Sequence, residues 1–367
     1  MGVLVGSHTI DRLGDVARGL TSGTVLVVTD EGVERAGIAD RARDSLQRAG
    51  LSHLSFSGVS ENPTTAHVAA GAARARESAG GVDLIVGLGG GSAMDCAKGI
   101  NFLLSNGGRM EDFWGDGKAR KSMLPSIGIP TTAGTGSEAQ RFALIAQEET
   151  NQKMACGDEK ARFRSVILDG ELLASVPAEV AAASGIDAVS HAVESYVCTA
   201  ASPASQLLAR QALRSLSASL EAQLRGDASS RDRQRLLMGA HWAGAAIERS
   251  MLGAAHACAN PLTARYHIVH GVAVGVMLPH VIAFNNEVVN GKYDALMQAA
   301  AGGNPSLANW ISELNGYAGL PRRLCELEVD KADLPALAAE AATQKTASFN
   351  PRPVDANDLQ ALYEAAY

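Results

Sequence analysis

The residues most able to do chemistry in this chain are an aspartate and a group of histidines in its second half. Asp187 and His191 are four residues apart in the segment GIDAVSHAVES, which consists largely of helix-forming residues. Residues at this spacing share one face of a helix, so both side chains can reach a single point. An isolated pair of this kind is more often a surface or capping contact than a binding site.

Two further histidines change that balance. The stretch HACANPLTARYHIVH, residues 256–270, contains three of the nine histidines of the chain. Pro261 should interrupt a helix here, which predicts that a helix end and the next segment fold back and bring His256 and His270 together. One carboxylate and three imidazoles form a complete protein ligand set for Fe²⁺, Zn²⁺ or a similar divalent ion, with room for a substrate oxygen. We therefore predict a metal site that consists of Asp187, His191, His256 and His270.

A glycine-rich segment in the first half could bind a phosphate. GLGGGSAMD, residues 87–95, follows an apolar run typical of a buried strand and precedes a segment with helix character. Glycines let the backbone approach a pyrophosphate, and a helix N-terminus offers unpaired N–H groups and a partial positive charge. Ser92 would cap that helix or bind the phosphate directly. The spacing is not that of the G-x-G-x-x-G fingerprint, so a tight turn explains the segment about equally well.

Two other segments could line a nucleotide. Asp30 ends the run TVLVVTD, and an acid at a strand end commonly binds the adenosine ribose hydroxyls and repels the 2′-phosphate of NADP. It precedes the glycine segment instead of following it, so an aspartate in an ordinary turn fits as well. PTTAGTGSE, residues 130–138, is rich in small and hydroxyl-bearing residues and suits a nucleotide wall or a plain surface loop equally.

Strand and helix signals alternate through the first half of the chain and become mostly helical in the second. Apolar runs over 24–30 and 82–91 alternate with helical stretches, which predicts βαβ units and a mainly parallel sheet. A length of 367 residues suits two domains. We predict an α/β domain over residues 1–177 and an all-helical domain over residues 178–367.

The composition limits the classes of partner. Apolar residues make up 46% and charged residues 19% of the chain, which is typical of a globular protein. The net charge of −7 argues against nucleic acid or an anionic membrane surface as a partner. No apolar run reaches the ~18 residues needed to cross a bilayer, and no secretory signal is recognisable. Five scattered cysteines suit reduced thiols, so we expect a cytoplasmic protein.

Together these segments resemble the iron-containing (group III) alcohol dehydrogenase family. Five motifs occur in the order of the family and at roughly its spacing over nearly the whole chain: GGGSAMDCAK (89–98), IPTTAGTGSEA (129–139), GIDAVSHAVESYV (185–197), HACANPLTARYHIVHGVAVGVMLPHVIAFN (256–285) and FNPRPVDANDL (349–359). The resemblance implies a Rossmann-like dinucleotide-binding domain and a helical metal-binding domain, with the active site in the cleft between them. It further implies a homodimer that transfers a hydride between NAD(H) and a primary alcohol or aldehyde, with Fe²⁺ or alternatively Zn²⁺ as the metal.

The resemblance also implies roles for particular residues. It supports metal binding by the four residues already named. It places Asp30 at the adenosine ribose of NAD. The remaining cofactor-binding residues, around the pyrophosphate, ribose and nicotinamide, would be Asn62, Gly89, Gly90, Gly91, Ser92, Thr131, Thr132, Thr135, Lys153 and Leu172.

One position departs from the family pattern. Many members carry a histidine four residues after the one at 256, where it is implicated in proton transfer, and here that residue is Asn260. An amide cannot titrate, so it cannot act as a general acid or base. We hypothesise that the alcohol proton leaves through water and the cofactor ribose with help from His267, whose imidazole titrates near neutrality. Alternatively, the family histidine only positions the substrate, and Asn260 does the same.

Other activities stay open at this point. A maleylacetate-reductase-like activity belongs to a related branch with the same fold. A dehydroquinate-synthase-like lyase would also use NAD and a metal, but it needs several cationic residues, and segments 187–197 and 256–280 contain only Arg265. A metal hydrolase would leave the glycine and threonine segments unexplained. Arg141 and Arg265 could each recognise an anionic substrate group, although structural arginines are commoner.

Overall fold

The structure, a computed structural model, describes residues 2–150, 152–300 and 306–367. The chain divides into two compact units. The first extends to Thr132 and resumes over Ser137–Val176, and the second consists of Ala133–Gly136 and Pro177–Tyr367. The main division therefore lies one residue before the predicted boundary, and part of the predicted threonine loop groups with the second unit.

The first unit is an α/β structure. Its described residues contain nine strands: β1 (Gly2–Val5), β2 (Val25–Asp30), β3 (His53–Val59), β4 (Leu84–Gly89), β5 (Gly115–Asp116), β6 (Ser126–Pro130), β7 (Phe142–Ala146), β8 (Lys153–Gly157) and β9 (Ser165–Leu168). They also contain five α-helices: α1 (Leu13–Arg18), α2 (Glu31–Arg35), α3 (Ile38–Arg48), α4 (Thr65–Arg76) and α5 (Gly91–Asn106). Strands β5, β8 and β7 form a small separate sheet.

Six strands form a wholly parallel sheet in the order β1–β9–β6–β4–β2–β3. The chain passes from β2 outward to β3 and then returns to β4 on the other side of β2, so the strand order reverses between β2 and β4. In open α/β sheets, ligands bind beyond the carboxyl ends of the strands at such a point. Asp30 ends β2 and Gly89 ends β4, so the predicted acid and the glycine segment both lie at this point.

The sheet is buried on both faces because helices cover each side. Successive residues of a strand point to opposite faces. Val25 and Val27 accordingly pack into one apolar core, whereas Leu26 and Val28 pack into the other. Strands buried on both faces read as continuous apolar runs instead of alternating ones, which explains the sequence of β2.

The second unit is helical throughout its described residues. Its helices are α6 (Ala178–Val197), α7 (Pro203–Ser217), α8 (Leu220–Arg225), α9 (Ser230–Ile247), α10 (Ala254–Tyr266), α11 (His270–Asn285), α12 (Lys292–Ala299), α13 (Leu307–Tyr317), α14 (Leu334–Ala342) and α15 (Ala356–Ala366). Helix α6 packs against α7, α9 and α11, and α10 packs against α11 and α14. Within the part of the chain that the structure describes, no helix is both long and apolar enough to span a bilayer. The predicted fold class, a parallel α/β domain followed by a helical domain, is confirmed.

Candidate metal centre and cofactor loops

Helix α6 carries the first two predicted ligands on one buried face. From Ala182 onward the helix is almost entirely buried, because small and apolar side chains let its neighbours pack closely. Asp187 and His191 are 4% and 5% exposed, and Asp187 Oδ1 lies 3.3 Å from His191 Nε2. The predicted i, i+4 contact is therefore present in the interior of the protein and not on its surface.

The other two predicted ligands are His256, near the start of α10, and His270, the first residue of α11. The predicted interruption between His256 and His270 is present, because α10 ends at Tyr266 and α11 begins at His270. Its attribution to Pro261 is wrong, because Pro261 lies inside α10. A proline removes one backbone hydrogen bond, and the packing of this buried helix outweighs that loss. The chain turns instead at His267, which has a left-handed φ of 54°, and α11 then begins at His270.

Three of the four predicted ligands, Asp187, His256 and His270, meet at one point, and His191 lies beside them in contact with Asp187. Asp187 Oδ1 lies 3.6 Å from His256 Nε2 and 4.0 Å from His270 Nε2. One ligand atom from each of these three residues lies within 4.8 Å of the others, which is the spacing of a metal site. The ring of His191 stacks on that of His256 with centroids 5.0 Å apart.

The unsatisfied polar atoms of this cluster test whether a metal fits. Asp187 Oδ1 and His256 Nε2 are buried, and neither has a hydrogen-bond partner among the residues that the structure describes. An unsatisfied buried polar atom costs roughly 1–3 kcal/mol, so native structures rarely keep one without a reason. A cation between these atoms would satisfy both, and a donor set of one carboxylate and three imidazoles suits Fe²⁺ or Zn²⁺. The residues therefore fit a divalent metal.

The charges of the cluster are strongly coupled. Burial alone would raise the pKa of Asp187, but the neighbouring imidazoles outweigh burial and lower it. Burial lowers the pKa of His191 to about 4, so this imidazole is neutral at pH 7. Burial would also lower the pKa of His256, but Asp187 and Glu194 outweigh it and raise that pKa to about 9. A metal ion must displace the proton of His256, because imidazole binds metals only in its neutral form.

The cluster opens on the side of His270. The side chain of His270 is 27% exposed, whereas those of Asp187 and His256 are 6% and 4% exposed. Thr263 Oγ1 lies 3.5 Å from His270 Nδ1 and borders this open side. A small substrate could therefore approach the cluster from the side of His270, since the other three predicted ligands are buried.

The two residues predicted to be catalytic differ in their surroundings. Asn260 lies one turn after His256 on α10 and is half-buried, and its Nδ2 donates to Gln344 Oε1 at 3.1 Å. His267 is exposed at the end of the same helix. Their roles in the reaction stay predictions.

In the first unit, Asp30 and the glycine segment meet at the ends of β2 and β4. A Cβ on Gly89 would lie 3.0 Å from Asp30 Oδ2 and 2.7 Å from Ala93 Cβ, and the φ of Gly89 is 151°. Only glycine fits here, because both its backbone conformation and its surroundings exclude a side chain. Asp30 Oδ1 also accepts a hydrogen bond from Val33 N at 3.0 Å and so caps α2.

The prediction that Ser92 caps the following helix is wrong. Gly90 occupies the capping position with an extended backbone, and α5 begins at Gly91. The helix starts earlier because glycine can make the turn directly after the strand without a side chain. Ser92 is therefore the second residue of the first helical turn, where backbone N–H groups have no partner within the helix.

Two threonines of the second predicted loop lie against the glycine segment. Thr131 N donates to Gly89 O at 2.9 Å, and Thr132 Oγ1 would lie 3.4 Å from a Cβ on Gly90. Thr135 is exposed and belongs to the part of the loop that groups with the second unit. Of the other predicted cofactor residues, Asn62 is exposed with a φ of 53°, Lys153 is exposed at the start of β8, and Leu172 is buried in the sheet core.

Sequence reasoning missed a buried ionic network that joins α5 to the second loop. Lys98 is 2% exposed, and its Nζ donates to Ser137 O, Ser137 Oγ and Phe142 O at 2.8, 2.7 and 2.6 Å. Ser137 Oγ in turn donates to Asp95 Oδ1 at 2.5 Å. The signal was the presence of Asp95 and Lys98 three residues apart in an otherwise apolar helix.

Glu194 was also missed, although it lies in the motif that carries two of the ligands. It is 3% exposed, and its Oε2 lies 2.5 Å from His256 Nδ1. The spacing of Asp187, His191 and Glu194 at i, i+4 and i+7 is that of a single helix face and could have identified it.

The arginines that could have recognised an anionic substrate are both ion-paired. Arg141 contacts Asp116 and Glu159 at 2.8 and 3.0 Å. Arg265 contacts Glu340 at 2.9 Å. The structural interpretation of both residues is therefore the better supported one.

Comparisons with known proteins agree with this arrangement. Residues 2–170 match the family model described as iron-containing alcohol dehydrogenase, and residues 181–367 match the C-terminal model of the same family. Alcohol dehydrogenase 4 of Saccharomyces cerevisiae (strain YJM789) is 32% identical over 99% of this chain and 96% of its own length. The NAD-dependent methanol dehydrogenase of Bacillus methanolicus is 29% identical over 99% of this chain and 97% of its own length.

A solved structure shows the same fold. The crystal structure of a 1,3-propanediol oxidoreductase matches with a TM-score of 0.95 and 30% identity, over 100% of this chain and 98% of that one. Both units of the chain are covered by this match and by the family models. The chain belongs to the iron-containing alcohol dehydrogenase family.

Proposed function

We propose that this chain interconverts primary alcohols and aldehydes with NAD(H) at a divalent metal held by Asp187, His191, His256 and His270. As a member of its family the chain is an NAD-dependent oxidoreductase of alcohols and aldehydes, and the family's metal is iron. The observation that carries the residue assignment is that Asp187 Oδ1 and His256 Nε2, buried and 3.6 Å apart, both lack a hydrogen-bond partner among the described residues.

The ligand residues have complementary tasks. A bound divalent ion supplies a Lewis acid that stabilises negative charge on the alcohol oxygen while a hydride leaves the adjacent carbon. Asp187, His191 and His256 are buried, so they would keep bulk water away from their part of the site. Thr263 would help to orient the ring of His270. His270 is the most exposed of the ligands, so the substrate would approach on its side.

The first unit supplies the groups for the cofactor. The N–H groups at the start of α5, with Gly90 and Gly91, suit the pyrophosphate. Asp30 at the end of β2 suits the adenosine ribose hydroxyls, and its charge disfavours the 2′-phosphate of NADP. Thr131 and Thr132, which contact the glycine segment, would form the adjoining wall.

An uncharged alcohol is the better substrate class. Dehydroquinate-synthase-like and maleylacetate-reductase-like activities act on substrates with several negative charges, which require cationic partners. Arg265, the cationic residue nearest in sequence to the ligands of α10 and α11, is ion-paired with Glu340. The names of two relatives, a methanol dehydrogenase and a 1,3-propanediol oxidoreductase, also support small alcohols.

We retain the proposal that the alcohol proton leaves through water and the cofactor ribose with help from His267. The exposed position of His267 supports exchange with solvent. Asn260 shares a helix face with His256 and can orient a substrate hydroxyl, but its amide cannot accept a proton.

We also propose a cytoplasmic homodimer. Strand β1 lies at the edge of the parallel sheet, and its Val3 and Val5 are each 43% exposed, which suits pairing with a second copy. All five cysteines are free and four are buried, which suits a reducing compartment. Light scattering of the purified protein, with a Val3→Lys variant, would test the assembly, and a monomeric wild-type protein would contradict it.

The enzymatic proposal can be tested with one assay. Metal-reconstituted protein is incubated with NAD⁺ and a panel of short primary alcohols, and NADH absorbance is followed with and without a chelator. We expect turnover that the chelator abolishes. His270→Gln should lose metal and activity, whereas His280→Gln, on the same helix α11, should keep both. Turnover that survives complete metal removal would contradict the proposal.

A further inference from the structure

We propose that Glu194 is a positioning residue of the metal centre that fixes His256 with its Nε2 directed at the ion. This inference rests on the proposed function, because it concerns how a ligand of the proposed metal is held. It assigns a role to a buried carboxylate that is not one of the proposed ligands.

Glu194 lies on the same face of α6 as two of the ligands. In a helix with 3.6 residues per turn, positions i, i+4 and i+7 align along one stripe. Asp187, His191 and Glu194 occupy these positions, and all three are buried. Helix α6 therefore carries two proposed ligands and, about one turn after His191, a carboxylate that contacts α10.

One carboxylate holds two adjacent groups of α10. Oε1 of Glu194 accepts a hydrogen bond from Ala255 N at 2.8 Å, and Oε2 lies 2.5 Å from His256 Nδ1. Ala255 belongs to the first turn of α10, where N–H groups lack partners within the helix and a negative charge is stabilising. Glu194 of α6 thus contacts both the backbone of the first turn of α10 and the imidazole ring of His256.

The contact with Nδ1 decides which nitrogen of His256 can bind a metal. A neutral imidazole has one N–H and one lone pair. An ionised carboxylate beside Nδ1 requires the proton there, so the lone pair is on Nε2, the atom that faces Asp187 Oδ1 at 3.6 Å. Carboxylates that bind the outer nitrogen of a metal-binding histidine fix its tautomer and ring orientation in this way.

The surroundings of Glu194 leave it little freedom to move. A Cβ on Gly253 would lie 2.9 Å from Glu194 Oε1 and 3.0 Å from Asn350 Oδ1, so the backbone of α10 approaches both side chains closely. Asn350 accepts from Ala254 N at 3.2 Å and is held in turn by a reciprocal pair of bonds with Asn285. The start of α10 is therefore anchored by two side chains, of which only Glu194 reaches the ligand.

Charge balance supports the same assignment. Asp187 and Glu194 place two negative charges in a buried region, and isolated charges there are costly. Two carboxylates and a divalent ion with neutral imidazoles sum to zero. Loss of the Glu194 charge would leave a net positive site, which disfavours binding of a dication.

The test is the metal affinity of purified protein, measured with Zn²⁺ and Co²⁺ against a chromophoric chelator. We expect Glu194→Gln to fold and to bind both ions roughly 10–100-fold more weakly. The visible spectrum of its Co²⁺ complex should also shift, because the ring of His256 is no longer held. Glu179→Gln is the matched control, since Glu179 is an exposed carboxylate in the first turn of the same helix.

The outcomes separate this inference from the proposed function. Wild-type protein without measurable affinity for either ion would refute the proposed metal site itself. A folded Glu194→Gln variant with wild-type affinity and spectrum would refute only the positioning role. If that variant does not fold, Glu194→Asp decides, because the shorter carboxylate cannot hold Ala255 N and His256 Nδ1 together. Its affinity should then fall measurably, and an affinity equal to that of wild type would overturn the proposal.

Discussion

Replacement of Lys98 by methionine should destabilise the first unit and weaken cofactor binding together. The ammonium of Lys98 is buried and donates to Ser137 O, Ser137 Oγ and Phe142 O, with Asp95 Oδ1 at 3.5 Å. Methionine has a similar length but no donor, so Lys98→Met removes these interactions without creating a large cavity.

The structure sets the size of the effect. Removal of one partner of a buried ion pair costs roughly 3–5 kcal/mol, because the other charge stays buried and unpaired. Here Asp95 would keep two donors, Ser137 Oγ at 2.5 Å and Leu144 N at 3.1 Å, which favours the lower end of that range. We therefore expect a loss of about 3 kcal/mol in the free energy of unfolding, a substantial part of the roughly 5–15 kcal/mol typical of native proteins.

Urea unfolding followed by circular dichroism measures this loss, and titration with NADH measures cofactor affinity. Affinity should fall because Lys98 fixes Ser137, which follows the threonine loop that contacts the glycine segment. Lys121→Met is the control, since Lys121 is exposed and such changes stay within roughly 0.5 kcal/mol. A loss below about 1 kcal/mol for Lys98→Met would refute the reasoning, because it would mean that the network carries no net stability.

Three further predictions concern other residues. Asp30→Asn should keep the cap on α2 but remove the negative charge that disfavours the 2′-phosphate of NADP⁺. The ratio of kcat/KM for NADP⁺ to kcat/KM for NAD⁺ should therefore rise roughly tenfold, which corresponds to about 1.4 kcal/mol. An unchanged ratio would contradict the role of Asp30 at the ribose. In Asn260→His, the rate of alcohol oxidation should rise with pH through the pKa of the new imidazole, because only neutral imidazole accepts a proton. A pH–rate profile like that of wild type would favour a purely positioning role for the residue at 260. Cys325 is exposed and the other four cysteines are buried, so a thiol reagent should label one fast site per chain, and Cys325→Ser should abolish it. Several fast sites would show that buried cores of the protein open readily.

The parts of the fold that the sequence predicts well are those determined locally. Residues 25–30 and 84–89 form the expected strands, because short apolar runs bounded by glycine or aspartate have few alternatives in a buried sheet. The contact between Asp187 and His191 follows from helix geometry alone. Helix geometry does not show which helices pack together, so the grouping of these two residues with His256 and His270 rested on residue types and on the resemblance. The packing of α11 against both α6 and α10 is seen only in the structure.

The misplaced helix interruption and the two missed residues share one cause, which is packing between segments that are remote in sequence. The Ser92 prediction failed for a local reason instead, because Gly90 already occupies the capping position. Pro261 was expected to interrupt the helix between His256 and His270, but α10 continues past it and ends only at Tyr266, because its packing outweighs one missing hydrogen bond. Glu194 looks like any glutamate in a helix until α10 is placed beside it, and Lys98 looks like a surface lysine until Ser137 and Phe142 enclose it. A buried charge is recognisable only from the partners that offset its desolvation cost, and these partners are remote in sequence.

The hydrogen bond of Asn260 bears on why an amide can stand where relatives carry a titrating group. Its Nδ2 is already used by Gln344 Oε1, so the amide presents its Oδ1 as an acceptor in a fixed direction. A fixed acceptor one turn from His256 can orient a hydroxyl donor, and in this role the hydroxyl keeps its proton. Proton removal then depends on groups that exchange with solvent, of which His267 is exposed at the end of the same helix. We therefore propose that positioning and proton transfer, which one imidazole combines in many relatives, are divided here between Asn260 and His267.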